Sequence, residues 1–102
     1  MGFAMDIQFL LRGTEFEWDE NKARINERDH GVSFQEAAET FFDPFFQTGD
    51  ASRNDEYREF IIGYSTTLRL LLAVYIERGT RVRLISARRA TRQEKKLYED
   101  TE

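Results

Sequence analysis

The chain contains no cysteine, which removes disulfide frameworks and thiolate metal sites and points to a reducing, cytoplasmic compartment. Without a thiol, the single His has no partner for a thiol–imidazole pair, which is excluded as well. A Ser-His-Asp set stays open, but no nucleophile-elbow motif supports it. One Pro and six Gly among 102 residues leave little room for long linkers. No apolar run approaches the roughly 20 residues that a membrane helix needs, so no membrane partner is expected. The start, "MGFAMDIQFLLRGTE", puts Asp6 ahead of a short apolar patch with no basic region before it, a poor signal peptide. The acidic residues Asp43, Asp50, Asp55 and Glu56 lack cation-loop spacing. Neither a metal nor another cofactor is expected.

What is present is a globular composition, 40% hydrophobic with nine Phe, enough for one domain around a single core. The charge is unevenly spread. Residues 1–68 carry six basic and fourteen acidic side chains (6 − 14 = −8), and residues 69–102 carry nine and five (9 − 5 = +4). Between Arg78 and Lys96 lie eight of the fifteen Lys and Arg residues and one carboxylate, Glu94. Such asymmetry points to a polyanion or an acidic partner.

Along the chain, Asp19 is a good N-cap with Glu20 in the first turn of a helix that ends at His30-Gly31. "SFQE" (Ser33 to Glu36) reads as a capping box. Phe34, Ala37, Ala38, Phe41 and Phe42 then repeat at helical period until Asp43-Pro44 stops the helix. From Phe45 the period changes. "FFQT" is a short strand, "GDASRNDEY" a polar loop, and "REFIIGYS", "LRLLLAVYIER" and "RVRLISARR" form an antiparallel meander with turns at Thr66-Thr67 and Gly79-Thr80. The middle strand is apolar on both faces and therefore central. "TRQE" opens a last short helix that docks through Leu97 and Tyr98. The fold class is α+β: two N-terminal helices packed on an antiparallel meander, with a short C-terminal helix.

The arginines carry the sharpest signal. A two-residue loop at Gly79-Thr80 sets Arg78 opposite Arg81 and Ile76 opposite Arg83. By parity Arg78, Arg81, Arg83 and Arg89 share a face, Arg88 falls on the other unless a bulge turns it, and Glu77 points away. On this pattern nothing acidic offsets the shared face, and Arg is the side chain best suited to bidentate phosphate contact. The plainer reading, solvated edge charges that discourage aggregation, stays open beside it. His30 equally reads as a C-terminal cation favoured by the helix dipole, Lys22 as a solvated lysine and Trp18 as core. Lys95 and Lys96 read as diffuse charge.

"FEWDENKARINERDHGVSFQEAAETFFDP" at residues 16–44, followed by "IGYS", "YIERG" and "RVRLISARRATRQEKKLYE", resembles the BrnT ribonuclease toxins of bacterial type II toxin–antitoxin systems. The resemblance implies a RelE-like fold, RNA cleavage without metal, and a hetero-oligomer with a cognate, DNA-binding, BrnA-like antitoxin. It places family positions on Trp18, Asp19, Lys22, Asn26, His30, Glu77, Arg78, Arg83, Ser86, Arg88, Glu94 and Tyr98. Residues 16–102 are then the toxin domain. Residues 1–15 exceed the family's usual short start and form an extension, either disordered or an extra strand.

Cleaving RNA without metal needs a base for the 2′-OH, positive charge for the transition state and an acid for the 5′-oxygen. Arg78, Arg83 and Arg88 are the expected phosphate-contacting catalytic residues, with Glu77 and His30 as proton-transfer groups. Lys22, Arg81, Arg89, Arg92 and Tyr98 are expected to bind RNA. Replacing Arg83 or Arg88 is then expected to remove function and spare the fold. Two alternatives compete: a toxin of the same fold that binds a protein target, and a non-catalytic module whose arginines hold phosphates.

Overall fold

In "TEFEWD" Phe16 and Trp18 alternate with Glu15, Glu17 and Asp19, the period of a strand buried on one face. The computed structural model, which describes residues 5–100, shows strand β2 there (Thr14–Asp19), paired antiparallel with β1 (Asp6–Leu11) across a turn at Arg12-Gly13. The expected order, helices before sheet, is corrected: two strands come first. Helical signals begin only at Asp19, whose carboxylate accepts from the Lys22 N–H at 2.9 Å to open α1 (Glu20–His30). Gly31 closes that helix at φ 67°, donating its N–H to Glu27.

The second helix is shorter than its apolar stripe. α2 spans Phe34–Glu39, and Thr40–Phe42 tighten into a 3-10 turn. The Ser33 hydroxyl accepts from the Glu36 N–H at 3.1 Å, but the Glu36 carboxylate turns away to Arg69, Ser65 and Thr67. Only half of the expected capping box forms, because an arginine is a stronger partner for that carboxylate than a backbone amide.

Strands β3 (Gln47–Asp50), β4 (Glu59–Tyr64), β5 (Leu70–Arg78) and β6 (Arg81–Arg89) form the antiparallel meander. The complete sheet is six-stranded in the order β1-β2-β6-β5-β4-β3, with β2 parallel to β6. It is mixed, where a purely antiparallel sheet was expected. The local pattern of β6 specifies its hairpin with β5 but says nothing about its other edge.

One face of the sheet holds Phe16, Trp18, Ile61, Leu71, Ala73, Leu84 and Ala87, which close on Phe34, Ala37 and Ala38 of α2. Aromatic rings knit this layer, with Trp18 against Phe34 at 5.7 Å and Phe41 between Phe16 (5.3 Å) and Tyr75 (4.9 Å). Gly63 permits the approach: a Cβ there would sit 2.8 Å from the Thr40 carbonyl oxygen. Tyr64 has the opposite parity, and on that second face α3 (Arg92–Glu99) docks through Tyr98, whose ring packs edge-on at 5.4 Å. Leu97, expected to dock as well, is 52% exposed. The Thr91–Glu94 capping box forms in full.

β2 parts from β6 after the Glu17–Arg83 pair while staying paired with β1, and the rest of β6 loses its neighbour. Asn26 of α1 takes that place. Its amide donates to the Ala87 carbonyl (2.8 Å) and accepts from the Ala87 N–H (3.0 Å), as a neighbouring strand would, and its second N–H goes to Val32 (2.9 Å). Every hydrogen-bonding site that this buried amide needs is used.

Two predictions follow from these contacts. Asn26→Ala orphans a buried backbone N–H and should cost about 2 kcal/mol in urea denaturation. Asn26→Asp should cost more at neutral pH, because a carboxylate would face the Val32 and Ala87 carbonyls. Equal stability of all three proteins would refute the strand-mimic role. Glu36 supplies the second. The Arg69 guanidinium, opposed by burial and aided by Ser65 and Thr67, lowers its carboxyl from 4.5 to about 2. A depressed pKa stabilises the fold above about pH 4.5, and that contribution is lost as pH falls towards 2. Glu36→Gln should be less stable than wild type at pH 7, and its stability should fall less between pH 4.5 and 2.

Candidate active site

Arg78 opposes Arg81 and Ile76 opposes Arg83, the expected hairpin register. Beyond Tyr75–Leu84 the register shifts: Val74 opposes Ser86, and Ile85 is the extra residue of a bulge. A bulge inverts the parity of everything after it. Arg88 therefore joins Arg78, Arg81 and Arg83 on the α3 face, and Arg89, opposite Leu71, turns to the other. The expected grouping of Arg89 with Arg81 and Arg83 is corrected.

The arginine face is not bare either. The parallel pairing lays Glu15 beside Arg81 and Glu17 beside Arg83, and β1 adds Asp6. Arg83 donates to Glu17 at 2.9 Å and to Asp6 at 3.0 Å. Arg78 reaches Glu17 at 3.3 Å, and Arg81 lies 3.6 Å from both Glu15 and Glu17. Glu17, 6% exposed, thus sits among three guanidinium groups. The expectation that nothing acidic offsets these charges fails because the carboxylates come from strands more than 60 residues away in sequence. The Asp6 contact, with Glu17 behind it, raises the Arg83 pKa against desolvation, and the same contact lowers that of Asp6.

Arg88 is held too. Its guanidinium meets the Glu94 carboxylate in two parallel bonds of 2.8 Å, which tie β6 to the first turn of α3 and lower the Glu94 pKa. Tyr98 donates to Asp43 at 2.6 Å. Burial pushes the Asp43 carboxyl up, but this bond and those from the Tyr64 and Phe45 amides outweigh it. The Arg83 side chain is only 17% exposed, packed between two carboxylates where a solvent-facing arginine was expected.

The expected proton-transfer pair is not brought together. Glu77 is level with Val82 near the tip of the hairpin, while His30 lies at the far end of α1. The two ends of that span on β6, Val82 and Ser86, are four residues apart, about 13 Å along a strand. His30 instead shares a shallow cleft of about 200 Å³ with Lys22, Asn26, Asp29, Ile85 and Ser86. The cleft opens where β2 has departed and the bulge displaces Ile85, so the missing strand makes it. Trp18 is core at 2% exposure, and Arg92 is exposed in the first turn of α3.

Sequence reasoning missed Asp6 and Glu17 as partners of the arginines and Asn26 as a strand substitute. The alternation of "TEFEWD" was the available signal for β2. Among the described residues, no three His, Asp or Glu side chains converge as metal ligands, and no helix is long and apolar enough to cross a membrane.

Residues 18–94 match the family described as "Ribonuclease toxin, BrnT, of type II toxin-antitoxin system". The fold is similar to the crystal structure of the Brucella abortus ribonuclease toxin BrnT, with a TM-score of 0.58 and 23% identity, covering 74% of this chain and 94% of that one. No curated protein matches the chain. At that identity the structural likeness speaks for the fold, while the family match spans most of the sequence. The chain belongs to the BrnT family, the ribonuclease toxins of type II toxin–antitoxin systems.

Proposed function

We propose that this protein is an endoribonuclease that cleaves RNA without a metal ion, arrests growth in the cytoplasm, and is neutralised by a cognate, DNA-binding antitoxin of the BrnA kind. Family membership carries the reading, and the cleft between α1 and β6 supplies a site for it. In the cleavage the 2′-oxygen forms a bond to phosphorus, the bond to the 5′-oxygen breaks, and one proton leaves the first oxygen while another reaches the second. Imidazole exchanges protons near neutrality, and His30 shares the cleft with the Lys22 ammonium, a positive charge for the phosphate, and with the Ser86 hydroxyl. Glu77 is left out of this step because it lies off the cleft.

The arginines divide by how firmly they are held. Arg83 and Arg88 are fixed by bonds of 2.8–3.0 Å to carboxylates and support the site. Arg78 is 60% exposed and Arg81 40%, each at 3.3 Å or more from its carboxylates. These two can exchange a carboxylate for an RNA phosphate. The same surface, residues 78–92, is the one an antitoxin with acidic or apolar residues would cover, blocking RNA and neutralising charge together.

Purified protein should degrade single-stranded RNA in EDTA. Activity that appears only with added Mg²⁺ would overturn the metal-free chemistry, and growth arrest with RNA left intact would favour a protein target. Substitutions separate the roles. His30→Ala and Lys22→Ala should each lower cleavage at least tenfold with a melting temperature near wild type, since both side chains are exposed. Arg83→Ala leaves the buried Glu17 short of its partner and should cost on the order of 3 kcal/mol, so its loss of activity should track unfolding. A stable, inactive Arg83→Ala protein would return Arg83 to the catalytic set.

A further inference from the structure

At the open end of the sheet, the β4–β5 turn, the end of β6 and the start of α3 border an open notch of about 320 Å³. Its charged wall is Arg69, Arg89 and Lys95, with no carboxylate on it. Arg69 is already committed, its Nε and Nη2 given to Glu36 and the Gly31 carbonyl. Arg89 and Lys95 make no ion pair among the described residues. They are the contrast to Arg78, Arg81, Arg83 and Arg88, all of which have carboxylates. The bulge that turns Arg89 away from the arginine face is what brings it here. Lys95 is held in place because α3 is fastened on both sides of it, by Glu94 on Arg88 and by Tyr98 on Asp43.

A second observation comes from the apolar wall. Leu68 is at φ 64°, a left-handed conformation that leucine disfavours, and the residue is 79% exposed. It is strained and buries almost nothing, so the fold gains nothing from a leucine there. Glycine or asparagine would suit the turn better. Strain of this kind that stability does not explain is characteristic of ligand-contacting positions. Leu68 stands on the notch beside Tyr64 and Leu70, so charge lies on one wall and an apolar surface on the other.

We propose that this notch seats one nucleotide of the RNA strand, with its phosphate on Arg89 and Lys95 and its base against Leu68 and Tyr64. The proposal rests on the ribonuclease reading for the identity of the ligand. It assigns binding to residues none of which line the His30 cleft, so the strand is gripped outside the site where the bond breaks. Two unpaired cations and an apolar shelf suit a nucleotide. A bare anion would have no use for Leu68, and an apolar ligand none for the charges.

The test uses a fluorescent RNA oligonucleotide carrying 2′-O-methyl groups, which binds but cannot be cut, followed by anisotropy over a range of salt. Arg89→Gln and Lys95→Gln should each weaken binding about tenfold and lower the slope of log K against log salt by about 0.7, one phosphate contact on a single strand. Leu68→Gly should move two readouts in opposite directions, raising the melting temperature and weakening RNA binding. Arg53→Gln, in the loop between β3 and β4, controls for overall charge and should change binding less than twofold. Unchanged RNA affinity in Leu68→Gly, or equal losses in Arg53→Gln and Arg89→Gln, would overturn the proposal. Cleavage of unmodified RNA is scored separately. Wild-type protein that binds through the notch but does not cut refutes the ribonuclease reading and leaves the notch standing. Protein that cuts while all three notch variants bind as wild type refutes the notch alone.

Discussion

The parallel contact between β2 and β6 is only three residue pairs long, Glu15 to Glu17 against Arg81 to Arg83, yet most of the molecule's arrangement depends on it. It places Phe16 in the core and, on the other face, sets the Glu17 carboxylate among three guanidinium groups. A carboxylate at 6% exposure is tolerable only with such partners, and three neighbouring arginines are tolerable only with such a carboxylate. Each group makes the other's position possible. The cluster is therefore a fastening between the two ends of the sheet's chain order, and β1 strengthens it through Asp6.

The brevity of that contact matters as much as its presence. Because β2 stops pairing after Glu17, the remaining edge of β6 is open, and a single amide from α1 satisfies it at Ala87. Alongside Asn26 the helix cannot cover the whole edge, and the uncovered part is the cleft that holds Lys22, His30 and Ser86. The bulge at Ile85 falls in this gap, where there is no partner strand on that side to oppose it. One irregularity thus opens the cleft and divides the arginines, Arg88 to one face and Arg89 to the other.

Positive charge in this protein has two uses that composition alone does not separate. Some of it is structural, spent on Asp6, Glu17, Glu36 and Glu94. Arg89, Arg92, Lys95 and Lys96, at the end of β6 and along α3, make no ion pair among the described residues. An acidic chain can meet RNA on these terms: its carboxylates neutralise the arginines that brace the fold and leave the basic surface local. The net charge of −4 describes the whole molecule and not the surface that meets a substrate.

The sequence by itself determined what depends on neighbours along the chain. Asp19, Gly31, Ser33 and the Thr91–Glu94 box mark helix ends through local hydrogen bonds, and the alternation and turn residues of the last three strands specify the meander. The family resemblance was equally legible, carried by the two blocks around His30 and Arg88. Tertiary structure decided what depends on residues far apart. Whether Arg83 is free or paired turns on Glu17 and Asp6, 66 and 77 positions away. Which way Arg88 and Arg89 point turns on a bulge with no mark in the sequence, since Ile85 is an ordinary strand residue. Side-chain period carries face information only while the register holds. A strand pattern also does not name its neighbour on the second edge, so the carboxylates beside the arginines and the gap beside His30 came from the packing alone.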